Sequence, residues 1–110
     1  MRFSNDFGFC ELNSFPGCPQ IVVSNNAFIY PEHRGKGRGT ENHLKRVQRA
    51  CGLGYDYIIC TVRSTNDLEI AILRHNGWKE LDSFNNRVSG NTVLLFGKKL
   101  RGEGNSSTVG

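Results

Sequence analysis

The sequence predicts an α/β domain: a central mixed β-sheet flanked by two helices. Three observations point there. An apolar run from Ile21 to Ile29 leads into a glycine-rich turn. A helix-like run from Glu41 to Leu53 and a second apolar run, Tyr57 to Val62, then follow. Strand, helix and strand in that order imply a parallel pair with a right-handed crossover. Beyond a second helical pattern, two strand-like runs flank a polar connection and read as an antiparallel hairpin.

At 110 residues the chain is one small domain, expected over 1–100, with a disordered tail over 101–110. Hydrophobic residues make up 37% and the mean hydropathy is -0.43, so the core is modest. No stretch approaches the ~20 apolar residues of a membrane span. The N-terminus lacks a charged-then-apolar leader layout, so a cytoplasmic protein is expected, with no membrane partner. Cys10, Cys18, Cys51 and Cys60 have neither zinc-knuckle nor C-x-x-C spacing and read as reduced, structural thiols, with no metal expected. The net charge of +4 collects at Arg34–Arg49 and at Lys98, Lys99 and Arg101, which suits an anionic partner.

In order, Phe7 to Leu12 reads as one short strand or hairpin arm. Phe15-Pro16-Gly17-Cys18-Pro19 reads as a turn, since prolines and glycine break strands. Ile21-Val22-Val23 is β-branched and continuous, which implies burial on both faces. Ser24-Asn25-Asn26 interrupts it, as a bulge or loop or as a polar patch beside a cleft. In the first helix Leu44, Val47 and Cys51, with Ala50, mark the inward face. Lys45, Arg46, Gln48 and Arg49 fill the solvated face, and Gly52 and Gly54 end the helix. Ser64 or Thr65 starts the second helix, with Leu68, Ala71, Ile72 and His75 turned inward and Asn76-Gly77 closing it. Trp78–Phe84 and Thr92–Lys98 are the hairpin strands.

The chain is organised around Tyr30-Pro31-Glu32-His33-Arg34-Gly35-Lys36-Gly37-Arg38-Gly39-Thr40. Glycines there permit positive φ and close approach. Free N–H groups at a helix start attract an anion, and a phosphate is the expected guest. Thr40 either caps the helix or sits just inside it. The stretch fails the P-loop pattern, because position 30 is Tyr and Gly37 follows Lys36. It also fails G-x-G-x-x-G, because Thr40 stands at the last position.

It does contain Arg34-Gly35-Lys36-Gly37-Arg38-Gly39 after Pro31-Glu32, which resembles the acetyl-CoA pyrophosphate loop of the GNAT N-acetyltransferase superfamily, V-x-P-E-x-R-G-x-G-x-G. Asn66 and Gly77-Trp78 resemble the ends of the family's helix pattern N-x-x-A-x-x-x-Y-x-x-x-G-F. The likeness spans residues 20–100 and implies a GNAT-like fold with its N-terminal strand and helices reduced. It implies acetyl-CoA as cosubstrate in a splayed gap between the parallel strands. Backbone groups of Phe28, Ile29 and Tyr30 would run beside the pantetheine. The N–H groups of Arg34, Gly35, Lys36, Gly37, Arg38, Gly39 and Thr40 would hold the pyrophosphate, and Asn66 would meet the cofactor's middle. The implied activity is acetyl transfer to a primary amine.

The sequence departs from that pattern at the family's Tyr, where it has Leu73, which has no proton to give. His75 lies about 200° further round the helix and is a poor substitute. Glu11, Asp6 and Glu32 are the carboxylates able to serve as base, with Glu11 on the N-terminal strand preferred over solvent-facing Glu32; Glu11 and His75 are therefore the catalytic candidates. Helices that usually precede this part of the fold form much of the acceptor wall. An open cleft suits a protein acceptor or a partner chain that completes the site, and missing cover over a sheet edge favours a homodimer. Two other readings stand: a GNAT-like module that binds without transfer, and a nucleic-acid binder. The latter lacks any RRM, KH or helix-turn-helix signature.

Overall fold

The computed structural model describes residues 1–35 and 37–100. Lys36 and residues 101–110, where the tail was expected, lie outside that description, as do the side chains of 26–28 and 38. Six strands form one mixed sheet: β1 (Arg2–Ser4), β2 (Gly8–Phe15), β3 (Cys18–Ile29), β4 (Tyr57–Arg63), β5 (Lys79–Asn85) and β6 (Thr92–Lys99). Two helices, α1 (Arg38–Gly52) and α2 (Asp67–His75), connect β3 to β4 and β4 to β5. The sheet order is β1-β2-β3-β4-β6-β5. Only the β3–β4 pair is parallel.

The N-terminal segment is two strands rather than one, joined by a turn in which Asn5 Oδ1 accepts from the N–H groups of Phe7 and Gly8. The expected five-residue break after it shrinks to Pro16-Gly17, with Gly17 at φ 81°. Pro19 is in β3 after all, next to the strand start, where a missing donor is tolerated. β3 then runs unbroken through Ser24 and Asn25. Phe9 faces Phe28 and Glu11 faces Asn25, three steps on β3 against two on β2, so β3 carries a bulge there.

The core lies on one face of the sheet. Leu12, Val22, Ile58, Cys60, Val62 and Phe96 point into it from the strands, and Ala50 of α1 and Leu73 of α2 meet them, with Trp78. Both helices therefore cover the same face. On the other face Ile21, Val23, Tyr57 and Ile59 are half-buried, which corrects the expectation of two-sided burial. β4 shows the consequence as strict alternation, with Ile58, Cys60 and Val62 buried between less buried neighbours.

The helices are rotated from their expected orientations. In α1, Leu44 is 47% exposed, while Asn42, His43, Arg46 and Ala50 are buried. In α2, Leu68 is exposed, Ala71 and His75 are exposed, and the inward residues are Leu73 with half-buried Glu69, Ile70 and Ile72. The apolar spacing missed α1 because its buried face is largely polar.

Candidate functional site

The parallel pair stays together only over Ile21–Val23 and Tyr57–Ile59. Beyond these residues β3 is held by β2 and β4 by β6, and the two strands part. The splay opens a cavity of about 800 Å³ at the carboxyl ends of the strands, where ligands of open α/β sheets bind. Ser24, Asn25 and Ile29 line it from β3, and Cys60 to Arg63 from β4. Gly39, Asn42, His43 and Arg46 line it from α1, and Asn66 and Glu69 from the start of α2. The polar patch and the bulge are thus one feature: the bulge ends the regular register beside Ser24 and Asn25, which face the cavity.

At the mouth, Gly37 is the N-cap of α1 at φ 75°, a left-handed conformation that disfavours any Cβ. No side chain among the described residues caps this end. The first intrahelical bond runs from Glu41 N–H to Gly37 O, so the N–H groups of Arg38, Gly39 and Thr40 precede the helix ladder. Thr40 sits inside the first turn, exposed, rather than capping it. Gly35 also takes positive φ, 78°. Arg34 turns away from this end: its Nε–H donates to Ile29 O at 2.9 Å, tying the loop to β3. Such a collar of backbone donors at a helix start fits an anionic phosphate group.

Of the expected pantetheine neighbours, Ile29 reaches the cavity wall and Phe28 pairs with Phe9 through the backbone. Tyr30 donates its N–H to Phe7 O at 2.8 Å, which commits that donor. Asn66 stands on the wall as N-cap of α2, its Oδ1 accepting from Glu69 N–H at 3.2 Å.

The catalytic candidates are not brought together. Glu11 lies one strand away from the cavity. Its Oε2 pairs with Arg2 at 2.8 Å, and its Oε1 accepts from Asn25 Nδ2 at 3.4 Å, so Asn25 links it to the cavity wall. His75 is exposed at the last turn of α2, about 13 Å along the helix from Asn66. Leu73 is fully buried in the core.

Sequence reasoning missed the floor of the cavity. Arg46, assigned to the solvated face, is 3% exposed. Its Nη2 donates to Glu69 Oε2 at 2.9 Å, which ties α1 to α2. The same Nη2 lies 3.1 Å from His43 Nδ1, and Trp78 Nε1–H donates to His43 Nε2 at 3.1 Å. Burial, together with the nearby charges of Arg46 and Lys98, lowers the His43 pKa from 6.5 to about 4, so its ring is neutral at pH 7. Burial pushes the Cys60 thiol up to about 12, which leaves it a poor nucleophile. The available signal was the stripe Gly39, Asn42/His43, Arg46, Ala50 at helical spacing. Hydrophobicity cannot see it, because it is a face of small and polar residues.

No protein-family model and no curated protein matches the chain. Solved structures do. The yncA protein of Salmonella typhimurium, with its cofactor acetyl-CoA, aligns at TM-score 0.74 and 18% identity over 86% of this chain. A GNAT superfamily phosphinothricin acetyltransferase from Sinorhizobium meliloti, in complex with AcCoA, aligns at 0.75 and 19% over 87%. The ribosomal-protein-S18-alanine N-acetyltransferase of Escherichia coli aligns at 0.73 and 13% over 91%. The chain spans 58%, 55% and 68% of these three proteins. At such identities the likeness is one of architecture: a mixed six-stranded sheet, parted between its two parallel strands and covered on one face by two helices, which is the fold of the GNAT acetyltransferases.

Proposed function

We propose that this chain is an N-acetyltransferase that carries the acetyl group of acetyl-CoA to a primary amine on a protein. The observation that carries the reading is the uncapped N-terminus of α1 at Gly37, opening onto the gap between β3 and β4. Backbone donors from Arg34 to Thr40, Lys36 among them, would hold the pyrophosphate. The walls at Ile29, Gly39 and Asn66 would take the pantetheine arm. The thioester, once bound, supplies an activated acyl group for direct attack by a neutral amine. In this reading Glu11, reached through water, receives the amine's proton, and Asn25 Nδ2 donates to Glu11 Oε1 and orients it. No side chain is assigned as acid, because Leu73 is sealed in the core and His75 is remote; water protonates the departing thiolate. A protein acceptor is supported by the E. coli neighbour, whose name specifies a ribosomal protein. A cytoplasmic location accords with the fact that no helix among the described residues is long and apolar enough to cross a membrane.

A second reading is favoured by Leu73 itself: a GNAT-like module that binds acetyl-CoA without transferring its acetyl group. Calorimetric titration of acetyl-CoA into the protein, beside Gly37→Glu, tests what the two share. Binding that disappears in the variant supports the cofactor site, and no binding at high micromolar ligand overturns both readings. Release of free CoA thiol in the presence of lysine-bearing peptides then separates them. Release that falls at least about tenfold in Glu11→Gln supports transfer with Glu11 as base. No release supports the binding module.

A further inference from the structure

The base of the cavity holds more hydrogen-bond donors than acceptors. Among the described residues Arg46 Nε and Ser24 Oγ are enclosed and have no partner; both residues are 3% exposed and line the cavity. His43 adds a third mismatch. Both its ring nitrogens face groups that only donate, Trp78 Nε1–H and Arg46 Nη2, each at 3.1 Å. A neutral imidazole has one N–H and one lone pair, so in either tautomer one donor goes without an acceptor. A protonated ring would make it two. The charges lean the same way: on the cavity wall Arg46 and Arg63 are positive, Glu69 is negative and His43 is neutral, an excess of one positive charge.

Enclosed donors without acceptors are costly to leave unmatched. Both residues line the adjoining cavity, so a small side-chain shift lets an acceptor reach them from it. A neutral carbonyl oxygen, with two lone pairs, could accept from both donors but would leave the excess positive charge of the wall unmet. A carboxylate offers two oxygens with about four acceptor sites and one negative charge, and arginine is the side chain best suited to it. We propose that the floor of the cleft, built from Arg46 and Ser24, is a carboxylate-binding pocket, and that one of the two substrates carries a carboxylate to it. The inference rests on the acyl-CoA reading above for the identity of the carrier. Arg46 lies seven residues from Gly39, about 10 Å further along α1 from the phosphate collar, within reach of a ligand that enters at the loop.

The test is calorimetric titration of acetyl-CoA and of succinyl-CoA, whose acyl chain ends in a carboxylate. Both go into the wild-type protein, Ser24→Ala, and Arg46→Met paired with Glu69→Gln, which removes both charges at near-constant volume. Succinyl-CoA binding about tenfold more tightly than acetyl-CoA, with the preference lost in the double variant and reduced in Ser24→Ala, places the carboxylate on the acyl group. If the thioesters bind alike, succinate is titrated into protein saturated with acetyl-CoA. Binding that the double variant abolishes places the carboxylate on the acceptor, and no binding overturns the pocket. Should acetyl-CoA itself fail to bind, the cofactor reading falls. Succinate alone then decides the pocket: binding abolished in the double variant upholds it, and its absence in the wild type overturns it. Ser24→Ala removes one hydroxyl, so it keeps the test open if the double variant does not fold.

Discussion

At the scale of single residues, two side chains carry large and opposite commitments. His43 is buried as a neutral ring, and its folded pKa of about 4 lies below the unfolded 6.5. Between those values the unfolded chain binds more protons than the folded one. His43 therefore leaves the fold fully stable above pH 6.5 and costs it stability as the pH falls towards 4, on the order of 3 kcal/mol in total. Urea unfolding midpoints measured from pH 7 to pH 4.5 are expected to fall steeply, and His43→Gln to flatten that fall; an unchanged slope in the variant would rule His43 out as its cause. Gly97 is held by a different constraint. A Cβ there would lie 2.5 Å from Tyr57 Oη and 2.9 Å from Leu81 Cδ1. Tyr57 lies across the glycine between neighbouring strands, so Gly97→Ala is expected to cost about 1–3 kcal/mol by crowding. Each kcal/mol lowers the melting temperature of a domain this size by ~4–8 °C, a drop that thermal denaturation resolves.

Among the elements, α1 and α2 are joined by an ion pair with unequal burial as well as by core packing. Arg46 is 3% exposed at its side chain and Glu69 27%. Removal of Glu69 strands a buried cation, whereas removal of Arg46 leaves a carboxylate that can turn to water. Glu69→Ala is therefore expected to destabilise by about 3–5 kcal/mol, and Arg46→Met by less than half of that. Equal losses in chemical denaturation would show that the pair acts only as a packing contact. The same elements explain why the helices were legible but their orientation was not. Caps, glycines and length located α1 and α2 to within a few residues. The inward face of α1 was read from Leu44, Val47 and Cys51, with Ala50; of these Ala50 is buried and Val47 packs against the core, while Leu44 is exposed. The structure keeps Ala50 inward but sets Asn42, His43 and Arg46 beside it, where Arg46 Nη2 meets Glu69 and His43 Nε2 meets Trp78 from other elements.

For the molecule as a whole, the parted strands, the α1 N-terminus and the two helices converge on one cavity, so a ligand there bridges β3, α1, β4 and α2. Binding to the folded state alone stabilises it by mass action. Acetyl-CoA at a hundredfold excess over its Kd is expected to add about 2.7 kcal/mol, raising the melting temperature by roughly 11–22 °C. A scan at millimolar acetyl-CoA with no shift would contradict the cofactor reading, and an equal shift in Gly37→Glu would move the site away from the loop.

The order of elements from β3 onward, the parallel pairing, the glycine-rich helix start and the hairpin at the C-terminal end were legible in the residues themselves. These follow from local rules: β-branched runs, helical spacing, and turns that need glycine or proline. Packing in three dimensions put both helices on one face, set Val23 and Ile59 as the point where β3 and β4 part, and brought Arg46, His43 and Ser24 together at the base of the gap. The reason is that burial of a polar group is permitted by its partners. Glu69 lies 23 residues from Arg46 and Trp78 lies 35 from His43, separations over which no periodicity carries information.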